Sequence, residues 1–410
     1  MKKIEKKRAA GGICVIVIAV ASMIISTLYN YFAGTLTAYS VKIWAAGCLV
    51  MACFGVLVLS KKEFLDRKDI VFSARHYGVD AMGAMAQGLF ASLLIGTIVS
   101  TIGEQTGIDY LTELGGYAKA VSGPAMAVAI GYALQAPPLV LFSLIAVGSA
   151  ANALGGAGGP LAVLFIAIIA AEIGKAVSKE TKVDIIVTPL VTITAGVALS
   201  VCYAPVIGTV ASSIGDFIMW ATELQPFLMG IIVSVTVGMA LTLPISSAAI
   251  CAALGLTGLA GGAAVAGCCA QMVGFAVMSF KENRWGGLLS QGIGTSMLQM
   301  GNIVKNPKIW LPPIIASAIT GPIATCVFGL EMNGTPISSG MGTCGLVGQI
   351  GVYTGWVSDI ASGAKDAITA FDVCGLLLIS FILPAVITYL IGLLFRKKGW
   401  IREGDLSLGD

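Results

Sequence analysis

Two copies of the tetrapeptide Pro-Ile-Ser-Ser carry the residues best suited to hold a small polar molecule. The first lies in LTLPISSAAICAALG, residues 241–255, and the second in NGTPISSGMGTCGLVG, residues 333–348. Each interrupts an apolar run and continues into a short segment of Gly, Ala, Ser and Cys. Proline at the first position of a helix wastes no donor, because first-turn N–H groups have no partner within the helix. Those groups and the serine hydroxyls can face a ligand, and small side chains leave it room. The candidate contacts are Pro244, Ser246 and Ser247 in the first copy. In the second they are Asn333, Thr335, Pro336, Ser338 and Ser339, with Glu331 opening the segment. Four matching residues also arise by chance in so apolar a chain, and small residues also serve tight helix packing.

Other polar groups sit inside apolar stretches. Glu172 lies in FIAIIAAEIGKAVSK. A carboxylate there is costly and serves a functional site or pairs with Lys175 or Lys179. Asn152, Gln271, Gln299 and Asn302 are neutral amides in similar settings. Such groups grip hydroxylated solutes or tie one helix to another. Asn302 joins the candidate site together with Glu172. No catalytic residue is expected. The chain has no P-loop, no GxSxG and no HExxH. The single histidine, His76, sits beside basic residues, and the ten cysteines form no CxxC. Neither a metal site nor a cofactor is expected.

These residues need elements to position them, and composition says which. Of 410 residues, 11% are charged and 57% hydrophobic. A soluble domain carries roughly 25% charge. Soluble enzymes, nucleic-acid binders and disordered proteins are excluded, leaving an all-α polytopic membrane protein. The 52 glycines fit close helix packing in a bilayer. Apolar runs begin at Ala9–Leu28 after the basic MKKIEKKR and continue at 43–60, 82–102 and 121–134. A break at Pro137-Pro138 and the stretch GGAGGP, residues 155–160, flank the next run. Residues 104–117 and 206–224 read as polar connections, and the last span covers about 373–395. At ~20 residues per span, about ten crossings are expected. Basic stretches at 61–69, 175–182 and 396–402 mark the cytoplasmic side of a cell membrane. Both termini are expected there. Short, interrupted segments in two parts of a transporter point to a binding site near the bilayer midplane. The two Pro-Ile-Ser-Ser segments are therefore expected to be re-entrant hairpins, near 241–262 and 331–355, holding a small hydroxylated solute. Helix N-termini meeting there favour a partly anionic group, so a sugar acid is one expectation.

From about residue 120 onward the chain resembles the membrane permease subunits, enzyme IIC, of the bacterial sugar phosphotransferase system. It is similar to a divergent branch that includes perfringolysin O regulator-like proteins. The resemblance rests on GGPLAVLFIAIIAAEIGKAVSK, residues 158–179, on TKVDIIVTPLVTITAGVAL, residues 181–199, and on the two later breaks. It implies a homodimer of elevator type, with two re-entrant hairpins per protomer and a sugar held between them. On that pattern residues 1–119 form a scaffold or dimerisation part and 120–372 the core. Residues 373–410 are the last span and a cytoplasmic tail, whose loss after Arg402 a transporter tolerates. Typical members place a histidine near the first hairpin and a glutamate directly before a proline in the second. Here the matching places are Leu243 to Ser247 and Thr335-Pro336. The histidine is missing, and threonine stands for the glutamate. The expected function is transport of a sugar or sugar acid by alternating access, without phosphorylation on this chain. The alternatives are a membrane sensor regulating gene expression, or a permease working with separate IIA and IIB proteins. No nucleic-acid partner is expected.

Overall fold

The computed structural model describes residues 38–60, 62–73 and 75–408. The expected first span, Ala9–Leu28, and the N-terminal basic stretch lie outside the described residues. Among the described residues the chain is helical and forms no named strand. Among the described residues six helical stretches are long and apolar enough to cross a membrane: 76–106, 138–177, 184–222, 258–278, 307–327 and 370–397. Two shorter apolar helices cover 47–58 and 226–242. The chain is thus a multi-pass helical membrane protein.

The chain divides into two compact units. The first comprises Met1–Gly88 and Ser122–Gly208, and the second Leu89–Val121 and Thr209–Asp410. The first unit is built on α1 (Ala38–Leu59), α2 (Pro138–Gly155), α3 (Gly159–Val177) and most of α4 (Asp184–Thr222). Pro138 opens α2 at a position where its missing N–H costs nothing. Gly156, at φ 52°, then reverses the chain within GGAGGP, and α3 packs back on α2. Phe54, Leu57 and Val58 of α1, Leu65 and Ile70 beyond it, Ile173 of α3 and Ala195 of α4 share one apolar cluster.

The expected connection over 206–224 is a helix instead. α4 runs unbroken through Pro189 and Pro205 to Thr222. Each proline removes one donor, and membrane helices tolerate that where neighbouring groups satisfy the freed backbone. The 39 residues of α4 extend roughly 58 Å at 1.5 Å per residue, well beyond a ~30 Å hydrocarbon layer. The expected loop over 104–117 is likewise helical. Ile95–Thr106 and Asp109–Ala120 turn about Gly107, at φ 69°, and pack through Gly96, Ser100 and Gly103 against Thr112 and Gly115. Acids made this stretch look like a loop, but Asp109 sits in a first helical turn, where negative charge is favoured.

The second unit surrounds α7 (Gly258–Met278), which is buried along almost all of its length. α5 (Pro226–Thr242) precedes it, and the short α6 (Ser247–Ala253) lies between them. α8 (Leu311–Pro322), α9 (Pro336–Ser339), α10 (Val347–Ser362) and the stretch 370–397 complete the unit. α7 is mostly Gly, Ala and Cys, so α5, α8 and the last stretch approach it closely. Met332 and Gly258 exchange both backbone hydrogen bonds at 3.0 Å across the start of α7. A Cβ on Gly262 would collide with the Leu330 carbonyl oxygen in that crossing. Gly262→Ala is therefore expected to cost about 1–3 kcal/mol through overpacking. The unfolding midpoint in detergent checks this, and an unchanged midpoint contradicts so close an approach.

Candidate functional site

The two Pro-Ile-Ser-Ser segments meet. α6 packs on α9 within the second unit, and both interrupt longer helices. Their openings differ. Pro336 is the first residue of α9, behind the extended Thr335. Pro244 does not open α6. Leu243 is extended, as a residue before proline must be, and a turn follows α5. Ser246 is the cap, its Oγ accepting from the Ala249 N–H at 3.2 Å. Donors at Ile245 and Ser247 are taken by carbonyls two residues earlier, which moves the helix start past the proline.

Several of the hydroxyls stitch the segments together. Ser247 Oγ donates to the Gly340 carbonyl at 2.7 Å, and Ser339 Oγ donates to the Leu256 carbonyl at 2.6 Å. Thr335 and Ser338 share a hydrogen bond at 3.0 Å. Ser247, Ser338 and Ser339 are buried, whereas Glu331 and Thr335 are exposed and Asn333 and Ser246 half-buried. Short helices leave carbonyls without helical partners, and these hydroxyls supply donors.

The open polar space lies beside the second segment. A cavity of about 280 Å³ is lined by Glu331, Asn333, Trp356, Asp359 and Lys365, with Gly329 and Ala364 at its edge. Asn333 organises it. Its Nδ2 donates to Glu331 Oε2 at 3.1 Å and to Asp359 Oδ2 at 2.9 Å, while its Oδ1 accepts from the Gly258 N–H at 3.1 Å. One amide therefore holds two carboxylates together and anchors them to the start of α7. Lys365 lies 5.5 Å from the Trp356 ring centroid and pairs with Asp372 at 3.0 Å. Chemically, two fixed carboxylates present strong acceptors for hydroxyl groups. From the sequence Asp359 reads as a loop or interfacial charge, and Trp356 and Lys365 carry no signal of their own. A Trp and an Asp at i, i+3 on the apolar helix just after the second break was the available signal.

Glu172 and Asn302 stand apart from this cavity. Glu172 belongs to the first unit, on α3, and is fully buried. Tyr77 donates to its Oε1 at 3.0 Å, and Lys175 meets its Oε2 at 3.2 Å. Lys175 Nζ also donates to the Asp69 and Leu134 carbonyls at 2.6 and 2.7 Å. Asn302 spends its amide on Gln299 at 2.8 Å and on the Ser407 carbonyl at 2.7 Å. Gln299 and Asn283 both donate to the Leu406 carbonyl, and Leu406 is fully buried. Residues 400–408 are thus built into the second unit, so truncation after Arg402 removes packing and is no neutral change. Asn302→Ala is expected to cost about 1–3 kcal/mol by leaving buried polar groups unpaired. A lowered midpoint of thermal unfolding checks it. Gln271 is a helix tie of the same kind, bonded to Thr242, Trp310 and Ser317. Among the described residues no three His, Cys, Asp or Glu side chains converge as a metal site.

A family model described as "Phosphotransferase system, EIIC" matches residues 79–408. No curated protein and no solved structure matches the chain.

Proposed function

The chain belongs to the phosphotransferase system EIIC family, and we propose on that footing that it carries a small neutral sugar across the membrane by alternating access. The proposed solute site is the cavity of Glu331, Asn333, Trp356 and Asp359. The observation that carries this reading is the single amide of Asn333, which holds two carboxylates beside the second broken segment. Sugar hydroxyls donate to those carboxylates, and Trp356 supplies an apolar wall. The lining carries two carboxylates and one lysine, so it favours a neutral sugar over a sugar acid. Ser246 and Thr335 lie outside the lining of that cavity. Glu331 takes the part that a glutamate before the proline plays in typical members, because Thr335 occupies that position.

In this reading the chain works as a homodimer. Separate IIA and IIB proteins supply any phosphoryl group. A sensor of gene expression has less support, since the tail, one of its few output surfaces, is anchored to the second unit through buried Ile401 and Leu406. Counterflow of labelled hexoses, pentoses and sugar acids in proteoliposomes tests the proposal, with and without phosphoenolpyruvate and the soluble partner proteins. Saturable entry of at least one neutral sugar is expected. No entry of any solute under either condition, with the protein shown to be folded, overturns it.

A further inference from the structure

The first unit holds two cavities strung along one face of α3. One, of about 380 Å³, is lined by Arg67, Lys68, Lys175 and Lys179 against Asp69 and Glu180. The other, of about 480 Å³, is apolar, and Phe54, Phe72 and Tyr77 form one wall. Its α3 wall is Leu161, Leu164, Phe165, Ile168 and Ile169, a stripe at i, i+3, i+4 spacing. The same stripe continues through Glu172 to Lys175. Tyr77 on the apolar wall bonds Glu172, and Glu172 meets Lys175 on the basic wall. The two cavities are therefore joined by one polar seam.

The basic cavity is shaped by strained backbone. Asp69, Gln135 and Lys179 all line it, and all hold left-handed backbone, at φ 53°, 56° and 61°. Non-glycine residues persist there only where surroundings hold them, typically at functional sites. Two lysines do the holding. Lys175 binds the carbonyls of Asp69 and of Leu134, beside Gln135, and Lys68 binds that of Ser178, beside Lys179. Glu180, an exposed carboxylate, bridges Arg67 at 2.9 Å and Lys68 at 2.6 Å. The Lys68 hydrogen bond holds its carboxyl below the usual glutamate range. Arg67 and Lys68 thus converge on one oxyanion, the Glu180 carboxylate.

We propose that this face of the first unit binds an anionic phospholipid, its phosphate in the basic cavity and an acyl chain in the apolar one. A soluble phosphate compound explains the first cavity but leaves the second without an occupant. The cluster of Lys and Arg also places this end of the unit at the cytoplasmic interface, where anionic lipids meet basic pockets.

Native mass spectrometry of the detergent-purified chain tests this, using phosphatidylglycerol and phosphatidylcholine with matched acyl chains. Phosphatidylglycerol is expected to be retained preferentially. Arg67→Gln with Lys179→Gln removes two exposed cations and is expected to weaken that retention about 25-fold, or about fivefold per charge, leaving phosphatidylcholine unaffected. Phe165→Ser, at a half-exposed position of the apolar wall, is expected to weaken both lipids. Equal retention of the two lipids overturns the proposal, as does unchanged retention in the double variant. Displacement of the lipid by glycerol phosphate alone assigns the site to a soluble phosphate and overturns it too. The unfolding midpoint of each variant separates lost binding from lost folding.

Discussion

Uptake by Glu331→Gln and Asp359→Asn proteins is expected to fall about tenfold to a hundredfold each. A hydrogen bond to a charged group contributes about 1.5–3 kcal/mol, and each 1.4 kcal/mol is a factor of ten in binding. The amide replacements keep the shape of the cavity. Asn333 still has a side-chain oxygen to donate to at either position, so the anchor on Gly258 survives. What is lost is the charge that strengthens each bond to a solute hydroxyl. The loss should read as a raised KM for the transported sugar with an unchanged unfolding midpoint. Asn333→Ala should be worse than either, because it frees two carboxylates and the start of α7 at once. Normal uptake in both single variants would remove the solute from this cavity.

Lys175→Met is expected to destabilise the protein by about 3–5 kcal/mol, the cost of breaking a buried ion pair from one side. Glu172 would remain fully buried with Tyr77 as its donor, and the Asp69 and Leu134 carbonyls would each lose a partner. Adding Glu172→Gln should restore part of the loss, because the uncompensated charge is gone. The double-mutant cycle then gives the coupling of the pair. Unfolding midpoints in detergent for the four proteins decide it. A Lys175→Met protein as stable as the parent would contradict the pairing.

Much of the local design is legible in the chain. The two tetrapeptides do break their helices, Pro336 does open one, and GGAGGP does reverse the backbone. Glu172 and Lys175, three residues apart, advertise their pairing on one helix face. Other features depend on contacts that no local pattern records. The start of α6 slips past Pro244 because carbonyls two residues back take the local donors. Serines that look free to grip a ligand spend their hydroxyls on Gly340 and Leu256, which exist as partners only once the segments meet. Asn302 faces the chain's own residues near 407 across more than a hundred positions of sequence. Asp359 looks like an ordinary charge near a helix end until Asn333 folds against it. In 104–117 and 206–224 scattered acids resemble a loop, yet both stretches are helical.

The solute is proposed to sit in the cavity beside the second broken segment. An electron cryomicroscopy structure with the transported sugar at saturation tests it most directly. A molecule seated among Glu331, Asn333, Trp356 and Asp359, with hydroxyls on both carboxylates, is expected. A sugar bound elsewhere, with this cavity holding none, would contradict it.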